Sequence, residues 1–297
     1  MKLPSQAAAA LAALMIGAGS HAQAPVSLTH VHGLAYSADG KRLMIPSHHG
    51  LAVYENGQWS KAAGPQHDYM GFAATSNRLY SSGHPAPGSG LVNPFGLIRS
   101  EDGGKTWTKL GLEGETDFHL LATSWHTNAV YVWNPAPSSR MRARGLHFTL
   151  NDGFAWKRAS ANGLSGEPRA LAVHPDNAAV VAVAASTGLY LSRDSGEHFV
   201  KAANGGEGLA AFFDLDGKRI WYGAFAAGGL KLLLVPLGGG EPAQAVLPPL
   251  KEDAVAYIAQ NPARRREYAI ATFERSVYLS KDGGQSWKRI AYRGSTK

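Results

Sequence analysis

The chain has 297 residues, 44% of them hydrophobic and 17% charged, with a net charge of +7 and no cysteine. No disulfide can staple the fold, and any metal centre must draw on imidazole, carboxylate and thioether donors rather than thiolate. Lys and Arg are dispersed, clustering only at Arg140, Arg142 and Arg144 and at residues 264–266, so a nucleic-acid-binding face is not expected.

Residues 1–24 read as a secretory signal: Lys2 gives a short basic start, AAAALAALMIGAG an apolar run, and SHAQA small residues for cleavage. Cleavage is expected after Ala22 or Ala24, the first preferred because Pro25 follows the second. The apolar run is too short to cross a bilayer, and no later stretch approaches the ~18 apolar residues that a spanning helix takes. The protein is therefore expected to be secreted or periplasmic without a membrane span, residues 25–297 forming one domain.

That domain opens with LTHVHGLAYSADGKRLMIPSHHGLAVYENG, residues 28–57, which holds His30, His32, His48 and His49. Short alternating strands are expected at residues 32–37 (HGLAYS), 70–75 (MGFAAT), 119–124 (HLLATS), 169–174 (RALAVH), 209–214 (LAAFFD) and 256–261 (AYIAQN). Each is followed by a second apolar run: RLMIPS, RLYSSG, AVYVWN, VVAVAA, RIWYGA and EYAIAT. Four outer hairpins share one pattern: GLIRSEDGGKTWTKL, GLHFTLNDGFAWKRA, GLYLSRDSGEHFVKA and SVYLSKDGGQSWKRI. In each, an Asp-x-Gly turn joins two strands, with Asp accepting backbone N–H bonds and Gly taking the positive φ. The turn aspartates, Asp102, Asp152, Asp194 and Asp282, are 50, 42 and 88 residues apart, the last close to twice 44. Units one and five end instead in GLAVYENGQWSKA and GLKLLLVPLGGGEPAQAVL. A period near 44 predicts an all-β propeller of six four-stranded blades, with seven as the alternative.

The S-x-D-x-G-x-x-W pattern resembles the Asp-box, or BNR repeat, of bacterial sialidase-like and sortilin-like propellers, with three good copies and one in which Leu150 replaces Ser. HVHGLAYSADGK, SHHGLAVYENGQW, HDYMGFAA, SGHPAPGSG, NPFGL and DFHLLA resemble a group of secreted bacterial Asp-box proteins labelled glycosylhydrolase or sialidase-like. That resemblance implies a carbohydrate-active enzyme. Sialidase chemistry would imply an arginine triad, yet Arg169 is the only arginine at an aligned inner-strand position. The nearest string to a Phe/Tyr-Arg-Ile-Pro signature, RLMIPSHHG, falls on a second strand, so sialidase activity is not expected.

Propeller register gathers the histidines. His30, His32, His67, Met70 and His119 lie at or before inner strands, and His48, His49 and His84 follow second strands. Antiparallel strands bring these two kinds of position to one face. Aligning the inner strands sets His32, Met70, His119, Arg169, Leu209 and Ala256 at one level. Two residues earlier come His30, Asp68, Asp117, Glu167, Glu207 and Ala254, on the same side of each strand. His126 and His174 belong to the opposite face, His147 to a strand, and His198 to its Asp-box turn.

The expectation drawn is a metal site at the channel mouth, formed from those eight His and Met residues, with copper favoured and zinc next. A glycosidase or lyase using Asp68, Asp117 and Glu167 as acid and base is the alternative. A non-catalytic assembly or scaffold role is the third reading, with the loop of Arg140, Arg142 and Arg144 as its basic surface. The expected partner is a metal ion. A carbohydrate or a partner protein at the same face are further candidates.

Overall fold

The computed structural model describes residues 26–204 and 206–297. The signal segment expected over residues 1–24 lies outside them. Blade one is β1 (Ala35–Tyr36), β2 (Leu43–Ser47), β3 (Gly50–Glu55) and β4 (Gln58–Lys61). Blade two is β5 (Asp68–Ala74), β6 (Leu79–His84), β7 (Leu97–Ser100) and β8 (Thr108–Gly111). Blade three is β9 (Leu121–Thr123), β10 (Val130–Asn134), β11 (Gly145–Thr149) and β12 (Lys157–Arg158). Blade four is β13 (Pro168–Val173), β14 (Val181–Ala185), β15 (Gly188–Ser192) and β16 (Phe199–Ala203). Blade five is β17 (Glu207–Phe213), β18 (Arg219–Ala226), β19 (Gly229–Pro236) and β20 (Ala243–Gln244). Blade six is β21 (Val255–Gln260), β22 (Tyr268–Thr272), β23 (Val277–Ser280) and β24 (Lys288–Ala291). Each sheet is built in chain order from one continuous stretch, and the inner strands contact one another around a ring: a six-bladed β-propeller. The seven-blade alternative does not hold.

Alternation explains why the sheets stack. In β14, Val181, Val183 and Ala185 face blade three, while Ala182 and Ala184 face blade five. In β2, Leu43 and Ile45 face blade six and Met44 faces blade two. Second strands are thus buried on both faces and read as continuous apolar runs. Burying both faces yields one apolar cluster at each of the six blade junctions among the described residues. At the junction of the first and last blades, Leu28 N–H donates to Gly294 O at 2.9 Å and Trp59 Nε1 to Ile290 O at 2.9 Å. These bonds lock the ring without exchanging a strand.

Turn chemistry fixes the outer hairpins. Ser100 Oγ donates to Asp102 Oδ1 at 2.8 Å and accepts from Gly104 N–H at 2.8 Å, and the same pair of bonds recurs at Ser192/Asp194/Gly196 and Ser280/Asp282/Gly284. Blade three corrects the sequence reading by one residue. There Thr149 takes the serine role and Asn151 the aspartate role, through Thr149 Oγ1 to Asn151 Oδ1 at 2.9 Å and Ala155 N–H to Asn151 Oδ1 at 2.9 Å. Asp152 therefore leaves the turn and binds Arg78 and Arg99 of blade two instead. Blade one closes its outer hairpin with Asn56 and Gly57, both at positive φ, the requirement of a tight two-residue hairpin.

Inner strands bear a bulge where they enter the ring. One extra residue, Arg169, Leu209 or Ala256, interrupts the ladder of β13, β17 or β21, at the positions expected to line the channel. In β5 the interruption falls between Met70 and Ala73. Gly71 takes φ 49° there, and a Cβ on it would stand 1.8 Å from the Phe118 carbonyl oxygen. Gly71→Ala is expected to cost about 2 kcal/mol or more, by clash and backbone strain together. Urea unfolding should show a lower midpoint at an unchanged slope, and a cost below about 0.5 kcal/mol would mean that blade three yields freely.

Candidate metal centre

Blade one supplies three imidazoles. His30 and His32 precede β1, two residues apart. His48 begins the two-residue turn from β2 to β3, so it returns to the face where β1 begins. Ring centroids lie 4.2 Å apart for His30 and His48, 5.2 Å for His32 and His48, and 5.3 Å for His30 and His32. One ring nitrogen from each comes within 4.8 Å of the others. Asp68, first residue of β5, reaches in from blade two, with Oδ1 at 3.7 Å from His32 Nε2 and Oδ2 at 3.8 Å from His48 Nε2. Both separations exceed hydrogen-bond range. They approach the ~3.4 Å between donor atoms that share a tetrahedral ion at bonds of about 2.1 Å.

Electrostatics favour the uncharged ring. Burial lowers the His32 pKa to about 4, against the pull of Asp68 and with help from His48, His30 and His119. At neutral pH the His32 ring is therefore neutral, the state a ligand needs. His32 Nε2 and Asp68 Oδ1 are both buried and neither has a hydrogen-bond partner.

A second group stands beside the first. His84 ends β6 and is the ladder partner of Asp68. Asp117 and His119 precede β9, and Asp117 Oδ2 lies 2.9 Å from His119 Nε2 and 3.1 Å from His84 Nε2. The hydrogen bond from His119, opposed by burial, holds the Asp117 carboxyl below its ordinary range, and the same bond raises the His119 pKa. Asp68 also raises His119, so the two groups sense each other.

The remaining expected residues lie elsewhere. His67 is buried, its Nδ1 accepting the Ala86 N–H at 2.9 Å and its ring 5.0 Å from that of Phe95. It holds the loop after β6. His49 is exposed on the outer half of its turn. Met70 is buried with its side chain over Gly83, because the bulge in β5 falls one residue late and gives the channel wall to Gly71. Glu167 is exposed on blade four, and Arg169 is ion-paired with Glu207. Asn93, within the NPFGL string, joins this face although no sequence pattern marks it: its side-chain amide lies 2.7 Å from His84 Nδ1. Below the rim formed by His32, His119 and Arg169, the channel encloses a cavity of about 200 Å³ walled by Leu34, Phe72, Leu121, Leu171 and Ile258. Among the described residues no helix is long and apolar enough to cross a membrane.

No family model and no curated protein matches the sequence. Similarity appears among solved structures. The GH74 enzyme of Niastella koreensis aligns over 90% of this chain at a TM-score of 0.60 and 16% identity. This chain spans 46% of that enzyme's length. A protein described as a putative gluconolactonase aligns over 86% of this chain and 89% of its own, at a TM-score of 0.61 and 15% identity. YCF48, solved with a D1 peptide, covers 90% of this chain and 82% of its own at a TM-score of 0.50 and 14% identity. At such identities the likeness is one of fold, so this chain is a six-bladed propeller with glycosidase and gluconolactonase-like structural neighbours.

Proposed function

We propose that this propeller is an exported protein that holds a transition-metal ion at its channel mouth, on His30, His32 and His48 with Asp68. Copper is the first choice and zinc the next. The observation that carries the reading is the pair His32 Nε2 and Asp68 Oδ1, buried, partnerless and 3.7 Å apart. Leaving a buried polar atom unsatisfied costs about 1–3 kcal/mol, and an ion between these two atoms would satisfy both at once. Three imidazoles and a carboxylate without thiolate suit copper(II), which also stands highest in affinity for such donors. Binding or sequestering the ion needs no further machinery. The likeness of the turn motif to Asp-box propellers supports the exported setting.

The glycosidase reading has less behind it. Asp68 faces His32 and His48, Asp117 faces His84 and His119, and Glu167 stands exposed on blade four. Each carboxylate of that acid–base set is thus occupied with imidazoles or stands apart, an arrangement that serves a cation better than proton transfer to a sugar.

Calorimetric titration of copper(II) and zinc(II) into the untagged mature chain tests the reading. The double variant His32→Ala/His48→Ala is expected to lose roughly 100-fold or more in affinity at this centre. Equal affinity in wild type and double variant would overturn it.

A further inference from the structure

Inward-facing tyrosines of this propeller mostly find partners. Tyr69 donates to Pro65 O at 3.0 Å, Tyr131 to Ala178 O at 2.7 Å, Tyr222 to Gly206 O at 3.1 Å and Tyr268 to Asp214 Oδ1 at 2.8 Å. Such pairing is the rule for a phenol taken out of water. Tyr257 departs from it. It follows the bulge residue Ala256 on β21 and borders the channel cavity. Burial pushes its phenol up to about 12, with neither a hydrogen bond nor a neighbouring charge contributing. By area the residue is only half-buried, because its open part faces the cavity. We infer that this cavity is a binding site for a small uncharged organic molecule, about one ring in size, with an oxygen that accepts from the Tyr257 hydroxyl.

The space has the size for it. About 200 Å³ lies open below the rim, whereas protein interiors leave few voids larger than a water molecule. A cavity of about 150 Å³ walled by Leu, Ile and Phe takes benzene, so this one takes a single ring with a short substituent. Trp125, Pro175 and Leu215, which follow β9, β13 and β17, form its floor. These loops are tied across blades, His126 N–H donating to Pro175 O at 2.8 Å and Leu215 N–H to Gln260 Oε1 at 2.7 Å. A ligand therefore enters from the mouth.

Charge and polarity narrow the class. At the rim Arg169 is already held by Glu207 and His119 by Asp117, and lower down Thr123 Oγ1 is spent on Ala74 O at 2.9 Å. A charged ligand would shed its hydration here without gaining a free counter-charge, which selects a neutral molecule. Each inner strand is the edge of its sheet, so unpaired backbone N–H and C=O groups also border the channel axis. An aryl ketone or ester, with both a ring and a carbonyl, suits such a mixed wall better than a hydrocarbon. The site lies below the proposed ion and goes beyond that reading without depending on it.

Ligand-observed NMR titrations of the untagged mature chain, kept in chelator, compare acetophenone, its isostere α-methylstyrene and the anion benzoate. Acetophenone is expected to bind with a dissociation constant of about 0.1–1 mM, the range open to so small a ligand. α-Methylstyrene presents a methylene in place of the carbonyl oxygen and should bind roughly 5- to 10-fold more weakly, with benzoate weaker than acetophenone. Tyr257→Phe should erase the difference between ketone and alkene while leaving the affinity for the alkene unchanged. The wild-type comparison reads the same contact without any variant having to fold. Acetophenone that fails to bind up to its solubility limit would overturn the site. Equal affinities for ketone and alkene in wild type, or a preference that survives Tyr257→Phe, would overturn the contact with the phenol. Tighter binding of benzoate would overturn the choice of a neutral ligand. Metal is absent throughout, so failure here leaves the ion-binding reading standing, and loss of that reading leaves this site untouched.

Discussion

His32 alone is expected to remove about 3 kcal/mol from the stability of the metal-free protein as pH falls from 6.5 to 4. Its pKa is near 4 in the folded chain and 6.5 when exposed, because the ring lies buried among other imidazoles. Between those values the unfolded chain binds a proton that the native chain refuses, so stability rises with pH across the window and is lost toward acid. His119 acts in the opposite sense, but outside the window. Its raised pKa contributes stability that is complete below 6.5 and lost only at higher pH. Asp117, held below its ordinary range, loses its contribution only under stronger acid. Urea unfolding in chelator at several pH values measures the slope, and His32→Leu should flatten it by about one proton between pH 6.5 and 4. An identical slope in wild type and variant would show that His32 is not a buried neutral imidazole. Saturating metal should steepen the dependence, because acid then also releases the ion.

Much of this architecture is legible in the sequence, for reasons that particular residues make plain. Second strands such as VVAVAA announce themselves because both their faces are buried. The serine–aspartate–glycine turns do so because Ser100, Ser192 and Ser280 repeat one set of local bonds. The face that receives His30, His32, His48, His84 and His119 follows from strand direction alone. What resists reading is side-chain aim. In LNDG the motif's spacing, counted back from Gly153 and Trp156, does land on Thr149 and Asn151, and the adjacent Asp152 masks that register by offering the usual turn residue one place late. Met70 aligns with channel residues by counting, but a bulge shifted by one residue turns it away. His67 sits one residue from Asp68, yet its ring is committed to Ala86 and Phe95. The sorting of the other rings into two groups depends on rotamers that sequence does not encode.

Asp214→Ala should destabilise the propeller by about 3–5 kcal/mol, the largest single effect expected here. Asp214 follows β17 at the far end of the channel, and only 2% of it is exposed. Its Oδ1 accepts Trp221 Nε1–H at 2.7 Å and the Tyr268 hydroxyl at 2.8 Å, while Oδ2 accepts from Arg219 Nε. Trp221 belongs to blade five and Tyr268 to blade six, their rings 4.7 Å apart, so one carboxylate ties two blades together. Three donors offset much of the cost of burying the charge. Removing it strands the Trp221 indole N–H and the Tyr268 O–H, whose oxygen still accepts from Gln260 Nε2 at 2.8 Å, each lost donor costing about 1–3 kcal/mol, and leaves Arg219 unpaired. Asp214→Asn should cost less, since one amide oxygen still accepts while the NH₂ group meets a donor. Chemical denaturation ranks the two variants against wild type. A loss under about 1 kcal/mol for Asp214→Ala would mean that water replaces the carboxylate at this junction. Metal affinity in the folded variant should be unchanged, because the network sits at the opposite end of the channel from the imidazoles.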